Sequence, residues 1–213
     1  MLSSKSSSIK NNMIAMAIFA AMITPLAASA DTVNFSGSGA FGQASVPSDS
    51  CHYFYYSSLY VFENSSKSKS VKTGNAGAYL YAEGYNNCTG NYFYAYGSVD
   101  GISFAQKSKR KTITASGSIP VYDYYSGSSD VVNFNLTFTQ NTDYVNSSSG
   151  TAHNEYQYGT NVYKNNYHYD YTSSSATVTG TISGSMAGSA LDGGVDSYGS
   201  MGNSKSHSVD ITK

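Results

Sequence analysis

The sequence predicts an all-β fold, an antiparallel β-sandwich of about ten to twelve short strands. Three observations carry this expectation. Apolar residues recur with period two along most of the chain after Asp31. No stretch there sustains a helical period. Clusters of Gly, Asn, Asp and Ser interrupt the alternating runs at short intervals, where tight or left-handed backbone is needed. Short antiparallel strands joined this way make a sandwich or a closed barrel, with the sandwich favoured.

Residues 1–30 stand apart. Lys5 and Lys10 precede an apolar run from Met13 to Ile23, and Pro25 and the small-residue ending Ala28-Ser29-Ala30 follow. A charged start, an apolar segment too short to span a bilayer and an A-x-A site describe a cleavable export signal. The expected mature chain is therefore one domain, residues 31–213, secreted or held in the periplasm or at the cell surface, with no membrane span. In that oxidising setting Cys51 and Cys88, the two cysteines of the chain, are expected to form a disulfide. Closing a loop of that length stabilises the fold by about 4 kcal/mol from chain entropy.

Composition narrows the partners. The chain has 12 Lys and Arg against 13 Asp and Glu, and Lys5 and Lys10 leave with the signal, so the mature balance is about −3. This gives no electrostatic reason to expect nucleic acid or an anionic membrane. The one basic run, Lys107, Lys109, Arg110 and Lys111, suits a solvated loop or edge. Val, Ile, Leu and Phe are sparse, and 21 tyrosines compensate. The core is expected to be shared between aliphatic positions and Tyr rings whose hydroxyls point outward.

Expected strands cover residues 32–44, 52–63, 76–85, 91–99, 102–106, 111–121, 131–140, 152–158, 162–171, 176–186 and 206–212. The clearest is 131–140, with Val132, Phe134, Leu136 and Phe138 on one face and Asn133, Asn135, Thr137 and Thr139 on the other. In 111–121 the residues Ile113, Ala115, Ile119 and Val121 alternate with Thr and Ser, and Pro120 demands an edge or a bend. In 176–186 the inward set Ala176, Val178, Gly180, Ile182, Gly184 and Met186 includes small residues that invite a bulky neighbour. Turns are expected at 72–75, 86–87, 100–101, 126–127, 147–150 and 192–194. For the last pair of tyrosine-bearing strands the turn lies at Asn165-Asn166 or at Gly159-Thr160, each imposing its own register.

Catalytic signatures are sparse: there is no nucleophile elbow, zincin helix, phosphate loop or dinucleotide fingerprint, and no cofactor is expected. His153 with Glu155, and His168 with Asp170, sit at i, i+2 spacing, so each pair shares a face. If their strands were neighbours, four zinc- or copper-type ligands could converge, although exposed polar positions explain them as well. A Tyr with His168 and Lys164 is what β-elimination of a uronate polymer needs, but only Arg110 is present to steady carboxylates. Asp192-Gly193-Gly194-Val195-Asp196 reads as a Gly-rich loop rather than a calcium site. The most suggestive feature is aromatic density: Tyr92, Tyr94 and Tyr96 fall on one face, about 7 Å apart along the strand. Exposed, they and Tyr167 and Tyr169 would stack on sugar rings or another protein. Otherwise they belong to the core or to stiffening cross-strand ladders, which is the favoured expectation.

Cys88-Thr89-Gly90, Gly117-Ser118-Ile119-Pro120-Val121, the alternating run from Val131 to Phe138 and Ala176-Thr177-Val178-Thr179-Gly180 together resemble a group of small secreted bacterial all-β proteins of uncharacterised function. The resemblance covers about half of the mature chain, in framework positions. Departures are Phe138, where Trp is common, and the lack of an Arg before the late strand. It implies export and a β-sandwich, and transfers no catalytic residue. The expected function is that of a non-enzymatic surface, matrix or binding component, with extracellular polysaccharide or a surface protein as partner. The alternatives are a secreted polysaccharide lyase or hydrolase and a small outer-membrane β-barrel. Polar Thr, Ser and Asn opposite the apolar faces, and an end at Lys213 without a terminal aromatic, argue against the barrel.

Overall fold

The computed structural model describes residues 33–107, 111–159, 161–191 and 193–212. The expected export signal lies outside them, as do Lys109 and Arg110 of the basic run, Thr160 and Asp192. Ten strands occupy most of the described chain: β1 (Val33–Ala44), β2 (His52–Ser68), β3 (Val71–Asn86), β4 (Asn91–Asp100), β5 (Ser103–Lys107), β6 (Thr112–Asp123), β7 (Ser129–Tyr158), β8 (Asn161–Met186), β9 (Ser189–Leu191) and β10 (Tyr198–Thr212). All pairings are antiparallel, in the order β10-β1-β2-β3-β4-β6-β7-β8, and β8 also pairs with β10. The sheet thus closes on itself as an eight-membered ring, with β5 and β9 added against β6 and β8.

The antiparallel all-β fold, the strand number and the Cys51–Cys88 disulfide agree with expectation. The strands do not divide into two sheets, however. Opposite walls face one another as sandwich layers do, but they belong to one continuous sheet. The physical reason is the length of β8, which holds β7 on one side and, from Tyr163 to Thr177, β10 on the other. No free edge remains there at which a two-sheet sandwich could separate.

Alternation places the core. Val132, Phe134, Leu136 and Phe138 of β7 are buried, as are Ile113, Ala115, Ile119 and Val121 of β6 and Ala176, Val178, Ile182 and Met186 of β8. Large rings are accommodated by small residues on the facing wall: a Cβ added to Gly42 of β1 would meet the Phe138 ring of β7 at 2.8 Å. Gly180 and Gly184 have another role than the one expected. Their φ values are +126° and +130°, and a Cβ there would collide with the carbonyls of Asn135 and Val131. These are the bends that curve β8 around the barrel. Tyrosines, expected to share the core, lie mostly outside it.

Pro120 sits where β6 passes from one partner to the next. Residues Thr112–Ser116 pair with β5 and Val121–Asp123 with β4, leaving Pro120 in the gap where no donor is required. The β4–β6 seam is short, from Ala95 to Gly97 on β4. Buried Asp123 reinforces it by accepting the Tyr94 N–H at 2.9 Å.

One end of the barrel is closed. The disulfide joins the start of β2 to the turn after β3. Beside it the buried His52 ring donates from Nε2 to the Met186 carbonyl at 2.8 Å, and its Nδ1 lies 3.0 Å from the Asp49 carboxylate. Both ring nitrogens face acceptors, which fixes the orientation of the ring. Asn86 donates to Ser189 Oγ and accepts the N–H groups of Cys88 and Thr89. The other end is open, because β7, β8, β10, β1, β2 and β3 run on beyond the core as a six-stranded extension.

Several expected turns lie inside this extension. Residues 72–75, 147–150 and 165–166 are strand; one hairpin turns instead at Lys69-Ser70, and the other at Gly159, the second of the two sites expected, between Tyr158 and its partner Asn161. The asparagines that suggested a turn have cross-strand partners: Asn165 donates to Ser208 and Asp210, and Asn166 Oδ1 lies 2.6 Å from His153 Nδ1.

Candidate functional site

Two surfaces gather the residues able to recognise a ligand. The first is the outer face of β2, β3 and β4. A register shift between Phe54 and Tyr56 re-phases the start of β2, so that His52 and Phe54 point inward while Tyr53, Tyr55 and Tyr56 are all exposed. The cross-strand register then brings Tyr53, Tyr85 and Tyr92 level, and Tyr81 level with Tyr96 and Tyr122. Rings meet in mostly edge-to-face pairs: Tyr85–Tyr92 at 5.4 Å, Tyr81–Tyr94 at 5.2 Å, Tyr94–Tyr124 at 6.5 Å and Tyr96–Tyr122 at 6.1 Å. Tyr92 and Tyr96 are 60% and 49% exposed, so the predicted row is an outward belt that is also a cross-strand ladder.

Burial, and then the Glu83 carboxylate 2.8 Å from its hydroxyl, push the Tyr81 pKa well above the ordinary tyrosine range. Burial does the same for Tyr60, with Tyr79 and Tyr171 adding to it. The Tyr81 and Tyr60 hydroxyls are thus held in the protonated form.

The second surface is the inward-facing side of the open end. At one level across the sheet stand Thr151, His168, His207, Ser36, Lys67 and Lys72. One level nearer the core stand Ser149, Asp170, Lys205, Ser38, Ser65 and Gly74. The next holds Thr172, Asn203, Ala40 and Glu63, and beyond it the apolar residues begin with Met201 and Val61. The wall thus changes from core to hydroxyl and charge within one or two levels on β1, β2, β8 and β10. The resulting concavity encloses about 610 Å³.

The predicted metal ligands are neighbours without converging. His153 and Glu155 on β7 share a face with His168 and Asp170 on β8, but the register sets Glu155 against Lys164, with Oε2 2.8 Å from Nζ. His168 has Asp170 at 3.4 Å. Among the described residues no three His, Cys, Asp or Glu side chains are grouped to hold a metal ion. Tyr167 and Tyr169, stacked at 5.9 Å, point to the opposite side of β8 from His168 and Lys164. The Tyr, His and Lys trio that a uronate lyase needs is therefore split across the sheet.

The sequence reading did not single out Lys67, Lys72, Lys205 and His207 as members of one inward wall. Their signal was present: Lys67 is six residues from Val61, and Lys205 and His207 are four and six from Met201, all on the inward parity. Continuing the alternation past the last apolar residue finds them.

No protein-family model and no curated protein matches this chain. Among solved structures, the chain has a likeness to an acetoacetate decarboxylase-like enzyme from Sphingomonas wittichii RW1, at TM-score 0.32 and 10% identity, over 90% of this chain and 97% of that one. At that level of similarity neither fold nor activity transfers.

Proposed function

We propose that this protein is a non-catalytic extracytoplasmic binding module that attaches to a surface polymer, carbohydrate in the first instance, through its outer tyrosine belt. The observation that carries this is the exposure of Tyr92 and Tyr96, with Tyr94 between them, as part of a laterally supported array of rings on a closed barrel. Rings held by their neighbours lose little conformational entropy on binding, which favours adhesion over many weak contacts. The export signal read from residues 1–30 and the disulfide suit an extracellular setting. The polarity of the closed half, apolar inside and Thr, Ser, Asn and Tyr outside, is the reverse of a membrane-spanning barrel.

The test is a pull-down on insoluble cellulose, chitin and β-glucan with the mature protein and with the Tyr92→Ala/Tyr94→Ala/Tyr96→Ala variant. The expected result is retention of the native protein on at least one polymer and a loss of about tenfold or more in the variant, as removal of stacking contacts predicts. Equal retention of both proteins, or no retention of the native one, overturns the proposal.

A further inference from the structure

We infer that the concave open end is a second binding site, for an anionic glycan: a polysaccharide segment carrying uronate carboxylates or sulfate esters. The inference goes beyond the tyrosine belt and does not depend on it. It begins with the distribution of charge. Although the chain is net negative at −1, every described lysine lies in the open half, where the lysines outnumber Glu63, Asp100, Glu155, Asp170 and Asp210, whereas the described residues of the closed half include Asp49, Glu83, Asp123, Asp130 and Asp196 and no lysine or arginine. Anionic ligands are steered to one pole of the barrel.

Within that pole, Lys67, Lys72 and Lys205 line the 610 Å³ concavity together with His168, His207 and Asp170. The volume is that of ligand clefts, about 300–1,000 Å³. None of the three lysines makes an ion pair or side-chain hydrogen bond among the described residues, whereas Lys164 outside the lining is paired with Glu155. Asp170 lies beside His168 at 3.4 Å, and Glu63 stands one level deeper than Lys205. The lining thus keeps a surplus of ammonium groups with no internal partner. Lys67 faces Lys72 directly across a strand pair. Like charges opposed in this way are unfavourable unless something anionic lies between them.

The chemistry of the remaining lining selects among anions. Ser36, Ser38 and Ser65 contribute hydroxyls that both donate and accept, the complement of sugar hydroxyls. No Tyr, Phe or Trp lines the concavity, and its aromatic rings are the imidazoles of His168 and His207, so it lacks the large stacking platforms of single-strand nucleic-acid sites. Carboxylate or sulfate at intervals along a hydroxyl-rich chain matches both features.

The experiment is titration calorimetry of the mature protein, at 20 mM and 150 mM NaCl, with oligogalacturonate, dextran sulfate, unsubstituted dextran and a single-stranded DNA oligonucleotide. Expected are binding of one or both anionic glycans, weakening with salt, and none of dextran. Relative affinity for the first two distinguishes carboxylate from sulfate as the recognised group. Lys67→Glu/Lys205→Glu should lose about tenfold or more, with Lys67→Gln/Lys205→Gln losing less and both keeping the native circular dichroism spectrum. Lys107→Glu/Lys111→Glu makes the same charge change at the same pole outside the lining and should change affinity less than about threefold. Failure to bind either anionic glycan at low salt, tighter binding of DNA than of both, or an equal loss in the two Lys→Glu variants overturns the inference. The tyrosine triple variant should bind these glycans as the native protein does, so the two proposals fail separately.

Discussion

Strands β1, β2, β8 and β10 each pass through two environments, and the contrast between them divides the labour of the molecule. In the closed half their inward positions are Ala44, Leu59, Val178 and Met201, all buried. In the open half the same columns continue as Ser36, Lys67, His168 and His207. Hydrogen bonding between strands is as regular in one half as in the other. What changes is the source of stability: apolar burial, a disulfide and buried polar locks in the first, cross-strand polar pairs in the second. A ladder freed from supplying a core can present hydroxyls and charge to a ligand.

The largest break in this contrast should come from the core. Phe138 is fully buried and reaches across the barrel to the space left by Gly42. Phe138→Ala is expected to cost about 3–5 kcal/mol, transfer and cavity effects together. Chemical denaturation followed by circular dichroism measures it. A loss under about 1 kcal/mol would mean that the closed half is not the stabilising one.

Next is the covalent link. Replacing Cys51 and Cys88 by serine opens a loop with a sequence separation of 37 residues. The expected loss is about 2–4 kcal/mol. The locks around His52 and Asn86 lie within a few residues of the link, so hydrogen exchange should rise first at the starts of β2 and β4 and later in the open extension. Uniform acceleration along every strand would show that the two halves open as one unit, contrary to the division drawn from their packing.

Much of the fold was legible because alternation reports burial directly. The run of Val132, Phe134, Leu136 and Phe138 named a core face, and the strand around Pro120 named its own interruption. Closure was not legible, since nothing in a single strand states that β8 will hold two partners. Register was undecided for a definable reason. A turn at Asn165-Asn166 would set Tyr163 against His168, whereas the observed turn at Gly159 sets Glu155 against Lys164 and His168 against Thr151. Sequence identified His153, Glu155, His168 and Asp170 as polar residues on shared faces; one choice of turn decided that they form pairs rather than a metal site. Alternation showed that Tyr92, Tyr94 and Tyr96 share a face but not which face is outside; Phe93 and Ala95 take the core side, and the bulge that adds Tyr53, Tyr55 and Tyr56 to the exposed set is announced by no residue type.

The smallest expected effect concerns the seam between β4 and β6, where the closed half is thinnest. Burial raises the pKa of Asp123, but the Ser126 hydroxyl and the N–H groups of Tyr94, Tyr125 and Ser126 outweigh it and hold the carboxyl below its ordinary range. A folded-state pKa below the unfolded one, about 3.9, means that this stabilisation is complete above the unfolded value and is lost as pH falls through the folded one. Asp123→Asn keeps an acceptor for the Tyr94 N–H but removes the charge. It should lower stability at pH 7 by about 1 kcal/mol and flatten the decline in urea midpoint between pH 5 and pH 2. Because Asp123 fastens Tyr94, the same variant should also loosen the middle of the tyrosine belt, seen as altered near-ultraviolet circular dichroism, while anionic glycan binding at the far pole is unchanged. An acid limb as steep in the variant as in the native protein would place the acid-sensitive carboxylate elsewhere, and the seam would then owe its strength to the backbone pairs of Ala95 to Gly97 alone.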